Sequence, residues 1–228
     1  MPIEESTRAL LTVPELRDVY SRLAPLYRIW EKFTESKARS FALELARVSN
    51  GERVLEVAVG TGTAFEQLAR NNSLGFTAGV DITWAMLKRT VGMFGRPSLR
   101  VPNLCQCDAR FLPFPEKSFD LVYCAYLLDA LSEPDIEQAL RELRRVMMPS
   151  GRLVLVYLSS GHLWFNLLWG AFYAIMPNLL GGCRPIGLRS MLPQAGFAVQ
   201  QFRRIAQWGV PSEVILAVRG EQQTGVAG

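Results

Sequence analysis

Residues 54–62, VLEVAVGTG, constrain the fold more than any other stretch of this chain. Val54, Leu55, Val57 and Val59 have strand character, a Gly-Thr-Gly turn follows, and residues 64–70 have the pattern of a helix. A strand, a glycine turn and a helix in that order form the first half of a nucleotide-binding α/β unit. The glycines let backbone approach a ligand closely, and the helix start offers free N–H groups. What the turn lacks narrows the ligand. Dinucleotide binding asks for G-x-G-x-x-G, and with Gly60 as the first position the sixth is Phe65. The Gly-Lys-Ser/Thr ending of a phosphate-cradling loop is absent. Glu56 stands on the strand just before the turn, where a carboxylate repels phosphate and attracts a cation.

The same alternation continues downstream. Residues 75–80 read as a second strand ending in Asp81, an acid about twenty residues past the glycines and so suited to ribose hydroxyls. Ile82 would then lie against an adenine face, and Thr83 is an N-cap for a helix through Met86, Leu87 and Val91. Residues 99–107 read as strand three and residues 121–125 as strand four, nearly all apolar as a central parallel strand should be. Tyr126, Leu127, Leu128 and Asp129 fall just past its carboxyl end, where open α/β sheets place their ligands. Ser132, Pro134 and Asp135 start a helix whose Ile136, Leu140, Leu143 and Val146 share a face. Residues 153–157 read as strand five.

These segments carry a resemblance. VLEVAVGTG resembles motif I of the class I S-adenosylmethionine methyltransferases, with Ala58 in place of the first family glycine. Asp108-Ala109-Arg110-Phe111-Leu112-Pro113-Phe114 resembles the family's D-A-x-x-L-P-F motif, and Met148-Pro149-Ser150-Gly151-Arg152 its L-K-P-G-G turn. Tyr20-Ser-Arg-Leu-Ala-Pro-Leu-Tyr27 resembles the Y-x-x-x-A-x-x-Y segment of the ubiquinone/menaquinone biosynthesis C-methyltransferases (the methyltransferase type 11 group), with Arg28 where an aspartate usually follows. The resemblance covers residues 20–156. It implies a Rossmann-like, seven-stranded, mostly parallel sheet with helices on both faces, so residues 197–205 and 213–218 should be the last two strands. Those would pair antiparallel about Trp208-Gly209-Val210, with a helix over 188–195 before them. It implies S-adenosylmethionine as cofactor, an uncharged diol and an amino-bearing cation rather than a phosphate. The expected contacts are Glu56, Ala58, Gly60, Thr61 and Gly62 at the turn, Asp81 on the ribose, Ile82 beside the adenine, and Met86. Asp108 on the adenine amino group, Ala109, Tyr126, and Tyr20 and Tyr27 in the lid complete the set.

The 228 residues suit one domain, with 49% hydrophobic residues for a full core. We divide it into an N-terminal helical lid (13–49, patterned by Leu16, Tyr20, Leu23 and Tyr27), a cofactor-binding core (50–158), an apolar insertion after strand five (159–186), and the last helix and strands (187–219). Residues 1–12 show no periodicity and read as a mobile arm. The net charge of +4 is small, and acids and bases are interspersed over the first 150 positions, so no nucleic-acid stripe is visible. The start MPIEES lacks a signal peptide's basic and apolar regions, and Cys105, Cys107, Cys124 and Cys183 have neither disulfide-framework nor zinc spacing. A cytoplasmic protein with reduced cysteines and no metal is expected.

The insertion, GHLWFNLLWGAFYAIMPNLLGGCR over 161–184, is almost wholly apolar, and no charged residue occurs between Arg152 and Arg184. Broken by His162, Asn166 and Pro177, it suits an interfacial or pocket-lining helix over 163–175 better than a bilayer span. Residues 153–212 contain no acid but carry Arg184, Arg189, Arg203 and Arg204, with Trp164, Trp169 and Trp208. These predict peripheral membrane contact through 160–184 and the nearby arginines. Methyl transfer from a sulfonium needs positioning and exclusion of water, and a base only when the acceptor must lose a proton. His162, Tyr126 and Asp129 are the catalytic candidates; Asp129-Ala130 replaces the Arg-Asn pair usual in quinone methyltransferases. The reading is a methyltransferase for a small lipophilic acceptor, a quinone-like ring or a lipid head group. A catalytically silent cofactor-binding protein and a nicotinamide-dependent oxidoreductase are the alternatives, the last opposed by Phe65 and Glu56.

Overall fold

The structure, a computed structural model, describes residues 8–94 and 103–220. The start of the N-terminal arm and positions 99–102 of the expected third strand lie outside them. In order, the elements are α1 (Val13–Thr34), α2 (Ser36–Ala46), β1 (Arg53–Val57), α3 (Thr63–Asn71), β2 (Phe76–Asp81), α4 (Trp84–Met93), β3 (Asn103–Gln106) and β4 (Phe119–Ala125). There follow α5 (Glu133–Val146), β5 (Met147–Leu158), α6 (Leu163–Ile175), β6 (Phe197–Gln207) and β7 (Val210–Arg219), with single 3₁₀ turns at Leu128–Ala130 and Leu188–Ser190.

The strands form one seven-stranded sheet in the order β3-β2-β1-β4-β5-β7-β6. The first five are parallel; β7 runs antiparallel to both β5 and β6. The order reverses at β1, with β2 on one side and β4 on the other, which opens a crevice at the carboxyl ends of these strands. One face of the sheet buries Leu55, Val57, Val122, Leu153 and Leu155 against Ile136, Leu140 and Leu143 of α5. The other buries Val54, Leu121, Tyr123 and Val154 against Ala38, Ala42 and Leu45 of α2 and Leu68 of α3. Alternate residues of each strand therefore serve opposite layers, as a doubly covered sheet requires. Ser132 caps α5 by accepting from the Asp135 N–H at 3.4 Å, and Pro134 occupies its first turn.

Three sequence expectations need correction. The end of the arm is docked, not mobile: the Leu10 N–H donates to the Tyr173 hydroxyl at 3.0 Å, and Leu11 packs on the core. The lid region is helical, in two helices that meet at Glu35. Residues 148–152 are not a free turn but a bulge inside β5, because Phe119 pairs with Met147 while Leu121 pairs with Arg152. The helix expected over 188–195 is one 3₁₀ turn followed by linked turns. Pro193, near its middle, has no N–H to donate, and Gly196 (φ 77°) turns the chain into β6. The β6–β7 hairpin forms as anticipated, on Trp208 (φ 52°) and Gly209 (φ 81°), a two-residue turn whose twist matches the strands.

Candidate active site

The glycine turn is set by backbone that only small residues tolerate well. Gly60 (φ 53°) and Gly62 (φ 85°) are left-handed, and so is Ala58 (φ 64°), which holds this conformation with a side chain. A Cβ placed on Gly60 would meet nothing within 4 Å, so the turn leaves open space for a ligand there. The carboxylate of Asp81 fixes the turn, accepting from the Gly60 N–H at 2.9 Å and the Thr83 N–H at 2.8 Å. Thr90 reinforces it by donating to the Gly60 carbonyl at 3.1 Å.

A cleft of ≈ 970 Å³ lies over this turn at the carboxyl ends of β1, β2 and β4. All the expected cofactor contacts line it except Gly62: Glu56, Ala58, Gly60, Thr61, Asp81, Ile82, Met86, Asp108, Ala109, Tyr126, Tyr20 and Tyr27. Gly62 sits behind the turn as the N-cap of α3, where an added Cβ would come within 2.7 Å of Thr90 Cγ2. Its role is to let α3 approach α4. Asp108 is held by Arg110, whose Nη2 stands 2.7 Å from Oδ2 while Nη1 reaches Asp135 at 2.6 Å. An adenine amino group would have to use the lone pairs that Arg110 leaves.

Sequence reasoning missed the lid's charged residues, Glu31, Glu35 and Arg39, which also line the cleft. Arg39 bridges Glu31 (Nη1–Oε1 2.5 Å) and Glu35 (Nη2–Oε2 2.7 Å), and all three are buried. Glu31 also accepts a short hydrogen bond from the Thr61 hydroxyl, which latches α1 to the glycine turn. The signal was present: Glu31 continues the buried stripe of Leu16, Tyr20, Ala24 and Tyr27, and an acid on an apolar face needs a partner. Burial pushes Glu35 up to about 7 against the pull of Arg39. Burial likewise raises Glu56 well above the usual carboxylate range, and its Oε2 has no partner among the described residues. Glu31, Glu35, Glu56 and Asp81 line the cleft with one guanidinium, that of Arg39, so acidic groups outnumber basic ones around a ligand there.

A second cavity of ≈ 750 Å³ adjoins the first, and Tyr20, Tyr27, Glu35 and Tyr126 line both. Its other walls are Leu23, Leu26 and Trp30 of α1, Trp169 of α6, and Leu158, Leu179, Leu180 and Cys183. The aromatic partition is pinned. Tyr20 hydrogen-bonds Cys183 Sγ at 3.4 Å, Tyr27 donates to Glu35 at 3.2 Å, and Tyr126 hydrogen-bonds the Ser212 hydroxyl at 2.8 Å. Tyr126 also has a left-handed φ of 53°, strain of the kind that gathers at functional sites. Asp129 lines the second cavity, fully buried; its Oδ2 accepts from the Leu158 N–H at 2.9 Å, and burial pushes it up to about 6. His162 is not brought to the site. It is the exposed N-cap of α6 and lines neither cavity; of this helix, Phe165 and Tyr173 are buried and Trp169 reaches the second cavity.

Within this fold, residues 54–151 match the family model described as a methyltransferase domain. Among curated proteins, the chain is similar to the ubiquinone/menaquinone biosynthesis C-methyltransferase UbiE of Cellvibrio japonicus, 34% identical over 144 residues (60% of this chain, 52% of that protein). The corresponding protein of Pseudomonas aeruginosa is 34% identical over 162 residues, 68% of this chain and 57% of its own length. The chain thus spans about half the length of the curated relatives it matches. Among solved structures, a Burkholderia thailandensis 1,6-didemethyltoxoflavin-N1-methyltransferase with bound 1,6-didemethyltoxoflavin and S-adenosylhomocysteine superposes with TM-score 0.70 at 15% identity, over 95% of this chain and 94% of that one. The [4+2]-cyclase SpnF superposes with TM-score 0.74 at 17% identity, over 94% and 98%. Likeness at this level carries the fold alone, since one fold here bears two chemistries.

Proposed function

We propose that this chain transfers the methyl group of S-adenosylmethionine to a small lipophilic acceptor held in the second cavity. The observation that supports it most is the pair of adjoining cavities, one acidic and beside the glycine turn, the other apolar, divided by Tyr20, Tyr27 and Tyr126. The donor cleft fits such a cofactor on three counts. The space over Gly60 admits it, the unpartnered Glu56 Oε2 suits its amino group, and Asp81 stands where ribose hydroxyls would fall. When bound, the cofactor supplies a methyl on a cationic sulfur, ready for in-line displacement.

The rest is work for this chain's side chains. Ile82 and Met86 would flank the adenine; Ala58, Thr61 and Ala109 shape the cleft without charge. Tyr20 and Tyr27 cover it and keep water out, and their hydroxyls, raised by burial, stay protonated. For an acceptor with a proton to lose, Glu35 and Asp129 are the groups facing its cavity, each poised nearer neutrality than an ordinary carboxylate. The curated relatives are named for ubiquinone/menaquinone biosynthesis, which favours a quinone-like ring, and a lipid head group is equally apolar-anchored.

The test is methyl transfer from labelled cofactor into a total lipid and quinone extract, with mass identification of the product, beside calorimetric titration with S-adenosylmethionine and NADH. Binding of the methyl donor and a labelled lipid-soluble product are expected. Binding of NADH alone, or label confined to water-soluble products, overturns the proposal.

A further inference from the structure

Three segments meet at one edge of the molecule. Gln207, at the end of β6, donates through Nε2 to the carbonyls of Lys32 (3.2 Å) and Phe33 (2.6 Å), fastening the hairpin tip to the end of α1. Trp164 of α6 lies against the same tip, its Cη2 3.5 Å from where a Cβ on Gly209 would sit. This edge is apolar and open. Ile29 and Phe33 of α1 are 58% and 56% exposed, Trp208 at the tip 84%, and Leu167 and Leu168 of α6 65% and 66%. Leu26, Trp30 and Leu179 are exposed and also line the second cavity, so its mouth opens on this side. Single exposed apolar residues need no explanation, but a contiguous patch marks a contact surface.

The charges beside the patch have one sign. Between Arg22 and Lys37 the exposed charged side chains, Arg22, Arg28, Lys32 and Lys37, are all basic, and the two acids, Glu31 and Glu35, are buried. Three of the four arginines expected from the sequence are engaged elsewhere, and the fourth, Arg203, lies over the Phe41 ring. Arg184 is 1% exposed and donates to the Asp129 carbonyl, while Arg189 and Arg204 both pair with the buried Glu213.

We infer that this edge docks on an anionic lipid leaflet, with the apolar side chains in the acyl boundary and the α1 bases at the head groups. The second cavity then opens toward hydrocarbon. No helix among the described residues is long and apolar enough to cross a membrane. The 13 residues of α6 are about 20 Å long, short of the roughly 30 Å hydrocarbon core, so α6 lies along the interface. The inference rests on the acceptor reading only for what enters the cavity; docking is measured without turnover.

The experiment is flotation of the full chain with vesicles of phosphatidylcholine alone and of phosphatidylcholine with phosphatidylglycerol. Wild type should float with the anionic vesicles and be released by salt. Arg28→Glu/Lys32→Glu should weaken partition by about twentyfold or more, and Ile29→Ser/Phe33→Ser should abolish it. Calorimetric binding of S-adenosylhomocysteine and an unchanged melting curve confirm that each variant is folded. Wild type left in solution with both vesicle types overturns the inference, as does binding insensitive to salt and to the charge reversal. A dimer in sedimentation velocity that Ile29→Ser/Phe33→Ser converts to monomer also overturns it, because a second copy then covers the edge. Flotation without any methyl transfer would uphold docking while the acceptor reading falls.

Discussion

At the scale of single residues, the site contains two built-in costs. Ala58 holds a left-handed φ of 64° at the mouth of the glycine turn. An L side chain in that region costs about 1–2 kcal/mol, partly offset by the greater freedom of an unfolded glycine. Ala58→Gly should therefore stabilise the chain by roughly 0.5–1 kcal/mol in urea unfolding while S-adenosylhomocysteine still binds; a loss of stability would show that the strain is absent. Glu35 is the second cost. Burial raises it to about 7 from 4.5, so between these values the folded state binds more protons than the unfolded. Its contribution is complete below about pH 4.5 and declines as pH rises through about 7, by at most about 3 kcal/mol. Glu35→Gln should flatten that decline in a series of urea melts from pH 4.5 to 8; an unchanged slope would put the titration elsewhere. Glu35 was illegible in the sequence because its charge gives no hint of burial. Asp81 was legible because its distance from the glycines is fixed by one helix and one strand.

At the scale of elements, the strands were readable wherever a run of branched side chains met a turn signal, as in β1, β2 and β4. The segment over 188–195 was not, because its apolar pattern ignores Pro193. Helix α6 was bounded correctly, yet its faces could not be assigned when nearly every position is apolar. Packing made that choice, burying Phe165 and Tyr173, turning Trp169 to the second cavity and leaving Leu163, Trp164, Leu167, Leu168, Phe172 and Ile175 exposed. The α3–α4 contact gives a sharper prediction. Gly62→Ala places a Cβ 2.7 Å from Thr90 Cγ2 at a φ of 85°, so α3 must shift off α4 or the turn must open. We expect a loss of about 2–4 kcal/mol in stability and at least tenfold weaker S-adenosylmethionine binding by calorimetry. Ser or Ala at Thr90 should recover part of both, and failure to recover would place the damage in the backbone rather than the contact.

At the scale of the whole molecule, one helix serves two rooms. Tyr20 and Tyr27 of α1, with Glu35 at its end, form part of the wall of both cavities, and the Thr61–Glu31 bond ties α1 to the turn beneath the donor. A donor in the first cavity therefore lies under the same α1 side chains that wall the acceptor's room. Seating the donor should steady the wall that the acceptor then meets. We expect this shared wall to favour one order of turnover: donor on first, methylated product off before the spent donor. Product-inhibition kinetics read this directly. S-adenosylhomocysteine should compete with S-adenosylmethionine and act noncompetitively toward the acceptor, and Glu31→Gln, by loosening the latch, should blur the sequence toward random addition. A random pattern in the wild type would mean that α1 gates neither room.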